Sequence, residues 1–243
     1  LLEFAILIKD KTSENPITIL TVVPNNEEAE ANIARASSKL EDFVSQATAA
    51  ETKAVIRSTI DQNVANGIAR ISRELIADLI ILGWPTERGL MDKLIGKKMQ
   101  RIIKANNKVS MVTHFSRPLA THKRIVMAVP EFAEKEPGFE LWLKKVGVLS
   151  VELSISIVMN CTKATEEAVK AEIKRLKVST PISFKPFNDW TDFASLEEYV
   201  KEEDILIFVS ARKESVSYLN VLPTIPAKME KHFIDKSRII IYP

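Results

Sequence analysis

The stretch Ala77-Asp-Leu-Ile-Ile-Leu-Gly83-Trp-Pro-Thr-Glu-Arg-Gly89-Leu-Met-Asp-Lys-Leu-Ile-Gly96-Lys-Lys-Met-Gln-Arg-Ile-Ile103 decides the fold. A short apolar run from Leu79 to Leu82 stops at Gly83, and apolar residues return at Leu94, Ile95, Met99, Ile102 and Ile103 with the spacing of one helix face. The reading is a buried strand, a glycine-bearing loop and a helix. At such a strand end in an open α/β sheet, the helix N-terminus offers unpaired N–H groups and a positive dipole to an anion.

Upstream the same alternation of strand and helix continues. Residues 52–60 read as a strand, Asp61 is placed to cap a helix over 62–75, and 27–49 is a long helix with Ile33, Ala36, Leu40, Phe43 and Val44 on one face. A strand at 17–23 precedes it. The opening Leu-Leu-Glu-Phe-Ala-Ile-Leu-Ile fits strand or helix by pattern, but residues 9–16 are too few to hold the crossover that a parallel pair requires. Residues 1–11 are therefore expected to be the crossover helix itself, with the strand before it absent and the chain entered mid-domain.

Downstream come a helix at 91–106, a strand at 109–114 and a linker at 116–122, after which the plan restarts. Strands are expected at 124–129, 153–159, 182–187, 204–209 and 238–242, and helices at 138–149, 165–176 and 192–201. A further, irregular helix over 219–233 is interrupted by Pro223 and Pro226. The stretch 17–23 answers 153–159 and 77–83 answers 203–209, whereas 124–129 has no counterpart in the first half. The fold class is α/β, with two doubly wound parallel-sheet domains at 1–115 and 122–243, the first lacking its first strand.

Composition narrows the function. Among 243 residues, 34 Lys and Arg against 32 Asp and Glu give a formal charge of +2, far from the basic excess of nucleic-acid binders. The single Cys161 excludes an internal disulfide framework and fits a reducing compartment, and His114, His122 and His232 have no metal-ligand spacing. No apolar run is long enough to span a bilayer and no signal peptide is visible, so the fragment reads as cytoplasmic. Catalytic constellations are absent: the paired acids at 27–28, 166–167, 197–198 and 202–203 read as solvated helix faces, and the chain is not expected to be an enzyme.

The opening stretch resembles the nucleotide loop of the universal stress protein family: a glycine, two residues, a second glycine, nine residues, then a glycine and a small hydroxyl residue. Gly83 fills the first position and Gly96 the last glycine, while Thr86 replaces the second glycine and Lys97 the hydroxyl. The resemblance implies the family's fold, related to the adenine nucleotide alpha hydrolases. It places any adenine nucleotide such as ATP, bound weakly, at Gly83, Gly96, Lys97 and Lys98. Trp84 could stack on a base or pack on its own helix. In the second half the corresponding loop, 210–220, has no glycine; Arg212, Lys213, Ser215 and Ser217 could hold an anion or be solvated, and the loop is expected to stay empty. Glu131 stands in a poor position for the acid that ATP-binding members carry.

Two such degenerate domains in tandem look like the cytosolic C-terminal region of a bacterial monovalent cation/proton antiporter. That resemblance implies a regulatory module attached to a transmembrane region of the same full-length chain, on the cytosolic side of the inner membrane. Family members pair through their final strands, so 109–112 and 239–242 are expected to lie antiparallel within this chain as an internal pseudo-dimer. A homodimer would use other surfaces.

Overall fold

The computed structural model describes residues 1–85, 92–187, 189–191 and 193–243, with the backbone alone for 92–98, 193 and 194. Packing divides it into two compact units, 1–78 with 97–107, and 79–96 with 108–243.

The first unit contains α1 (Leu2–Ile8), β1 (Ile17–Pro24), α2 (Ala29–Ala49), β2 (Ala54–Asp61), α3 (Val64–Glu74) and the later part of α4 (Asp92–Ala105). The opening stretch is helical, as topology requires: Phe4 and Ile8, four residues apart on one face, are its buried side chains. β1 and β2 pair in parallel from Ile17 opposite Ala54 to Pro24 opposite Asp61 and form a two-stranded sheet of their own. The cap of α3 corrects the sequence reading. Asp61 closes β2 and its carboxylate accepts the Asn63 N–H (3.2 Å), which leaves the Asn63 side chain to accept the Ala65 N–H (2.9 Å) and cap the helix.

The second unit is built on a seven-stranded sheet. Its strands are β3 (Leu79–Gly83), β4 (Val109–His114), β5 (Arg124–Ala128), β6 (Ser156–Cys161), β7 (Ile182–Pro186), β8 (Asp204–Val209) and β9 (Ser237–Tyr242), in the order β3-β4-β9-β8-β5-β6-β7. Every neighbouring pair is parallel except β4 and β9, which run antiparallel with Val112 opposite Ile240 and Met111 opposite Ile241. The expected meeting of the two final strands is therefore present. All residues of β8 and β9 are buried, the state that continuous apolar runs such as Ile205-Leu-Ile-Phe208 demand, and each such side chain contributes roughly 1.5–3 kcal/mol by leaving water.

Helices α5 (Phe139–Leu153), α6 (Lys163–Leu176), α7 (Phe193–Tyr199) and α8 (Ile225–His232) connect these strands. The strand expected at 153–159 starts later: α5 continues to Leu153, and Ser154 at φ 55° turns the chain before β6 begins at Ser156. At the amino ends of β5 and β8, Arg124 grips Asp204 with two bonds, Nε to Oδ1 at 3.0 Å and Nη2 to Oδ2 at 2.5 Å. The segment 116–122 is held just as firmly. Buried His122 accepts or donates at Ser237 Oγ (2.8 Å) and donates from Nδ1 to Leu119 O (3.0 Å), while the Ser116 N–H donates to the same Ser237 hydroxyl (3.0 Å).

Candidate ligand crevices

A doubly wound sheet binds ligands beyond the carboxyl ends of its strands, where the strand order reverses. In the second unit that point lies between β5 and β8, since β5 leads through α5 to β6 on one side and β8 leads through α8 to β9 on the other. The loops after β5 and β8 meet there.

The meeting is made by one carboxylate. Glu136, only 8% exposed, accepts the Ser217 backbone N–H at 3.0 Å and the Ser217 hydroxyl at 2.6 Å, both on Oε1. Two donors converging on one oxygen form an anion cradle, and here the anion is part of the chain. Arg212 is also turned inward: Nε donates to Pro243 O (2.9 Å) and Nη2 to Lys108 O (2.7 Å). Burial pushes its pKa down, against the opposing pull of Tyr242 and Glu136. Burial likewise pushes the Tyr242 hydroxyl up to about 12, partly offset by its hydrogen bond with Ser210 and by Arg212.

Gly138, two residues past Glu136, makes this approach sterically possible. A Cβ there would lie 2.6 Å from Val109 Cγ2 and 3.0 Å from the Pro243 Cα. On the β6 side, Asn160 Nδ2 donates to Met127 O (2.8 Å), and burial raises the Cys161 thiol to about 11, so this cysteine is an inert core group rather than a nucleophile.

Of the residues singled out from the sequence, Arg212 and Ser217 are thus engaged with the chain itself, while Lys213 and Glu131 are exposed. Glu136 was not foreseen. Its one sequence signal is an acid in the Glu134-Lys-Glu-Pro-Gly138 turn after a buried strand, and its partner lies 81 residues away.

The first loop is arranged differently. Gly83 ends β3 opposite Thr113, and the Trp84 N–H donates to Thr113 O at 2.8 Å. Trp84 is buried beneath Arg238, whose guanidinium carbon sits 4.5 Å from the ring centroid, so a side chain of β9 is its partner among the described residues. Arg238 also donates from Nη2 to Glu230 (2.6 Å) and from Nη1 to Ile234 O (2.8 Å). Burial, and then the nearby Arg238 charge, hold the neighbouring His114 below its usual pKa. The nucleotide-loop positions Thr86, Arg88 and Gly89 lie outside the described residues. Gly96, Lys97 and Lys98 are the fifth to seventh residues of α4, which begins at Asp92, so they follow the first turn where a helix dipole acts most strongly.

Residues 1–113 match the model of the universal stress protein family. No curated protein matches the chain. Among solved structures, the cytoplasmic domain of a prokaryotic cation chloride cotransporter superposes with a TM-score of 0.60 at 13% identity, over 98% of this chain and 88% of that one. A universal stress protein from Archaeoglobus fulgidus superposes with a TM-score of 0.57 at 14% identity, over 98% of this chain and 90% of that one. These likenesses concern the fold, and among the described residues no helix is long and apolar enough to cross a membrane. Residues 1–113 are thus similar to the universal stress protein family, and the chain has the α/β fold seen in a member of that family and in a transporter's cytoplasmic domain.

Proposed function

We propose that this chain is a non-catalytic regulatory or sensor region of a cation/proton antiporter, joined to a transmembrane region of the same protein and working on the cytoplasmic side of the inner membrane. The likeness in fold to the cytoplasmic domain of a transporter, over nearly the whole chain, carries this reading. The closed second crevice supports it, because a cradle filled by Glu136 suits a domain that transmits force or contact better than one that turns over a ligand. In this reading the antiparallel β4–β9 ladder makes the two halves an internal pseudo-dimer, and further self-association uses the helical surfaces.

The test is cation/proton exchange measured in vesicles with the full-length protein and with a version lacking these 243 residues. Altered dependence of exchange on pH or on a cytoplasmic signal, with exchange itself retained, supports regulation. Unchanged exchange under every condition refutes it. A second reading, a free-standing tandem stress protein that binds ATP weakly, rests on the retained Gly83 and Gly96. A third, a ligand-free dimerisation module, rests on the occupied cradle.

A further inference from the structure

The outer edge of the sheet at β7 carries a surface with no role in either crevice. Ile157 N–H donates to Pro181 O (2.9 Å) and Phe187 N–H to Cys161 O (3.2 Å), so the odd-numbered residues of this segment pair with β6. Strand alternation then turns the peptide groups of Ile182 and Phe184 away from the sheet, on the side where β7 has no neighbour among the described strands. Lys185 and Pro186 follow, residues that blunt the rest of the edge.

Beside these two residues runs a groove of about 460 Å³. Its floor is apolar, made by Ile173, Val178, Ile182 and Phe184, and its rim is basic. Lys174 and Lys177 are exposed, and among the described residues neither is in an ion pair. Lys170 lies over the Phe184 ring at 5.1 Å and is the one lining lysine already held, by Glu166. Among the described residues no carboxylate lines the groove.

We propose that this edge and groove are the docking site for an extended acidic segment of a partner protein, which adds a strand to β7. The outward peptide groups of Ile182 and Phe184 supply main-chain hydrogen bonds, and the lysines of α6 select carboxylates. Because side chains along a strand repeat every second residue, the segment carries Asp or Glu at alternate positions, all facing α6. The charge is complementary to Lys174 and Lys177 on the rim. Main-chain donors and acceptors at strand spacing favour a peptide over a lipid headgroup, which has no use for them.

The experiment is fluorescence anisotropy with a labelled alternating Glu-Val peptide, run against the unmodified chain and the Lys174→Glu/Lys177→Glu variant. Both positions are exposed, so the variant keeps its fold, as circular dichroism checks. Binding is expected to be salt-sensitive and to weaken at least about tenfold in the variant, a difference of about 1.4 kcal/mol by conversion. A Lys-Val peptide should not bind, and exchange of the Ile182 and Phe184 amides should slow in the complex. Absence of binding, equal binding by the charge-reversed variant, or slowed exchange elsewhere but not at β7 overturns the proposal. So does binding of phosphatidylserine vesicles that the peptide cannot displace, which would make the groove a lipid site.

Discussion

The loops that follow β3 and β8 answer each other in the two halves and differ sharply in sequence. The first keeps glycines at 83, 89 and 96, while the second, from Ser210 to Asn220, has none. In the second, the Glu136 carboxylate occupies the Ser217 donors, and Arg212 is engaged with the carbonyls of Lys108 and Pro243. The first loop begins instead with an aromatic ring pinned under a cation, Trp84 beneath Arg238. In the second unit a crevice is thus closed by side chains while the strand order around it, β9-β8-β5-β6, runs unbroken.

The comparison can be broken most severely from beneath. Asp204 pairs with Arg124 at the amino end of β8, away from the crevice, and is buried. Asp204→Ala strands a half-buried guanidinium and is expected to cost about 3–5 kcal/mol in urea unfolding, with no new response to anions. Gly138→Val forces a Cβ into Val109 and the Pro243 backbone and should cost about 3 kcal/mol, because the loop carrying Glu136 must withdraw. Glu136→Ala leaves the Ser217 donors unpaired near Arg212 and should cost about 2 kcal/mol, part of it restored by millimolar phosphate that does not stabilise the parent chain. A parent chain equally stabilised by phosphate would show that the cradle is open.

The smallest effect is a pH dependence. Tyr242 is raised to about 12 and Cys161 to about 11, both above their unfolded values, so the folded state holds protons that the unfolded chain releases. The Cys161 contribution is complete below about pH 8 and the Tyr242 contribution below about pH 9; each is lost as pH rises, which predicts a decline of about 1 kcal/mol from Tyr242 by about pH 11 on top of an earlier one from Cys161. Tyr242→Phe should remove the Tyr242 share of that decline and leave the earlier Cys161 share. An unchanged slope would place the alkaline titration elsewhere.

Much of the fold was legible because local pattern and topology agreed. The helix at Leu2–Ile8 followed from a connection too short for a crossover, and the β4–β9 ladder from two apolar final strands that would otherwise be open edges. The boundary after α5 was not legible, since Leu153 is apolar and suits either element, and only Ser154 at positive φ marks the break. Asp61 and Asn63 are equally good caps by type, and the choice depends on which of them ends the neighbouring strand. Glu136 and Arg238 were hidden for a different reason: what matters about them is a contact with a residue far away in the chain, which no local spacing encodes.

The central claim is that the second crevice holds its own anion, so that nucleotide, where it binds, binds at the loop beginning with Gly83. Titration calorimetry of the chain with magnesium-ATP, alongside Gly96→Asp and Ser217→Ala, tests it most directly. The account predicts no more than one site per chain, lost in Gly96→Asp and untouched by Ser217→Ala. Two sites, or one site that survives Gly96→Asp and disappears with Ser217→Ala, would contradict it.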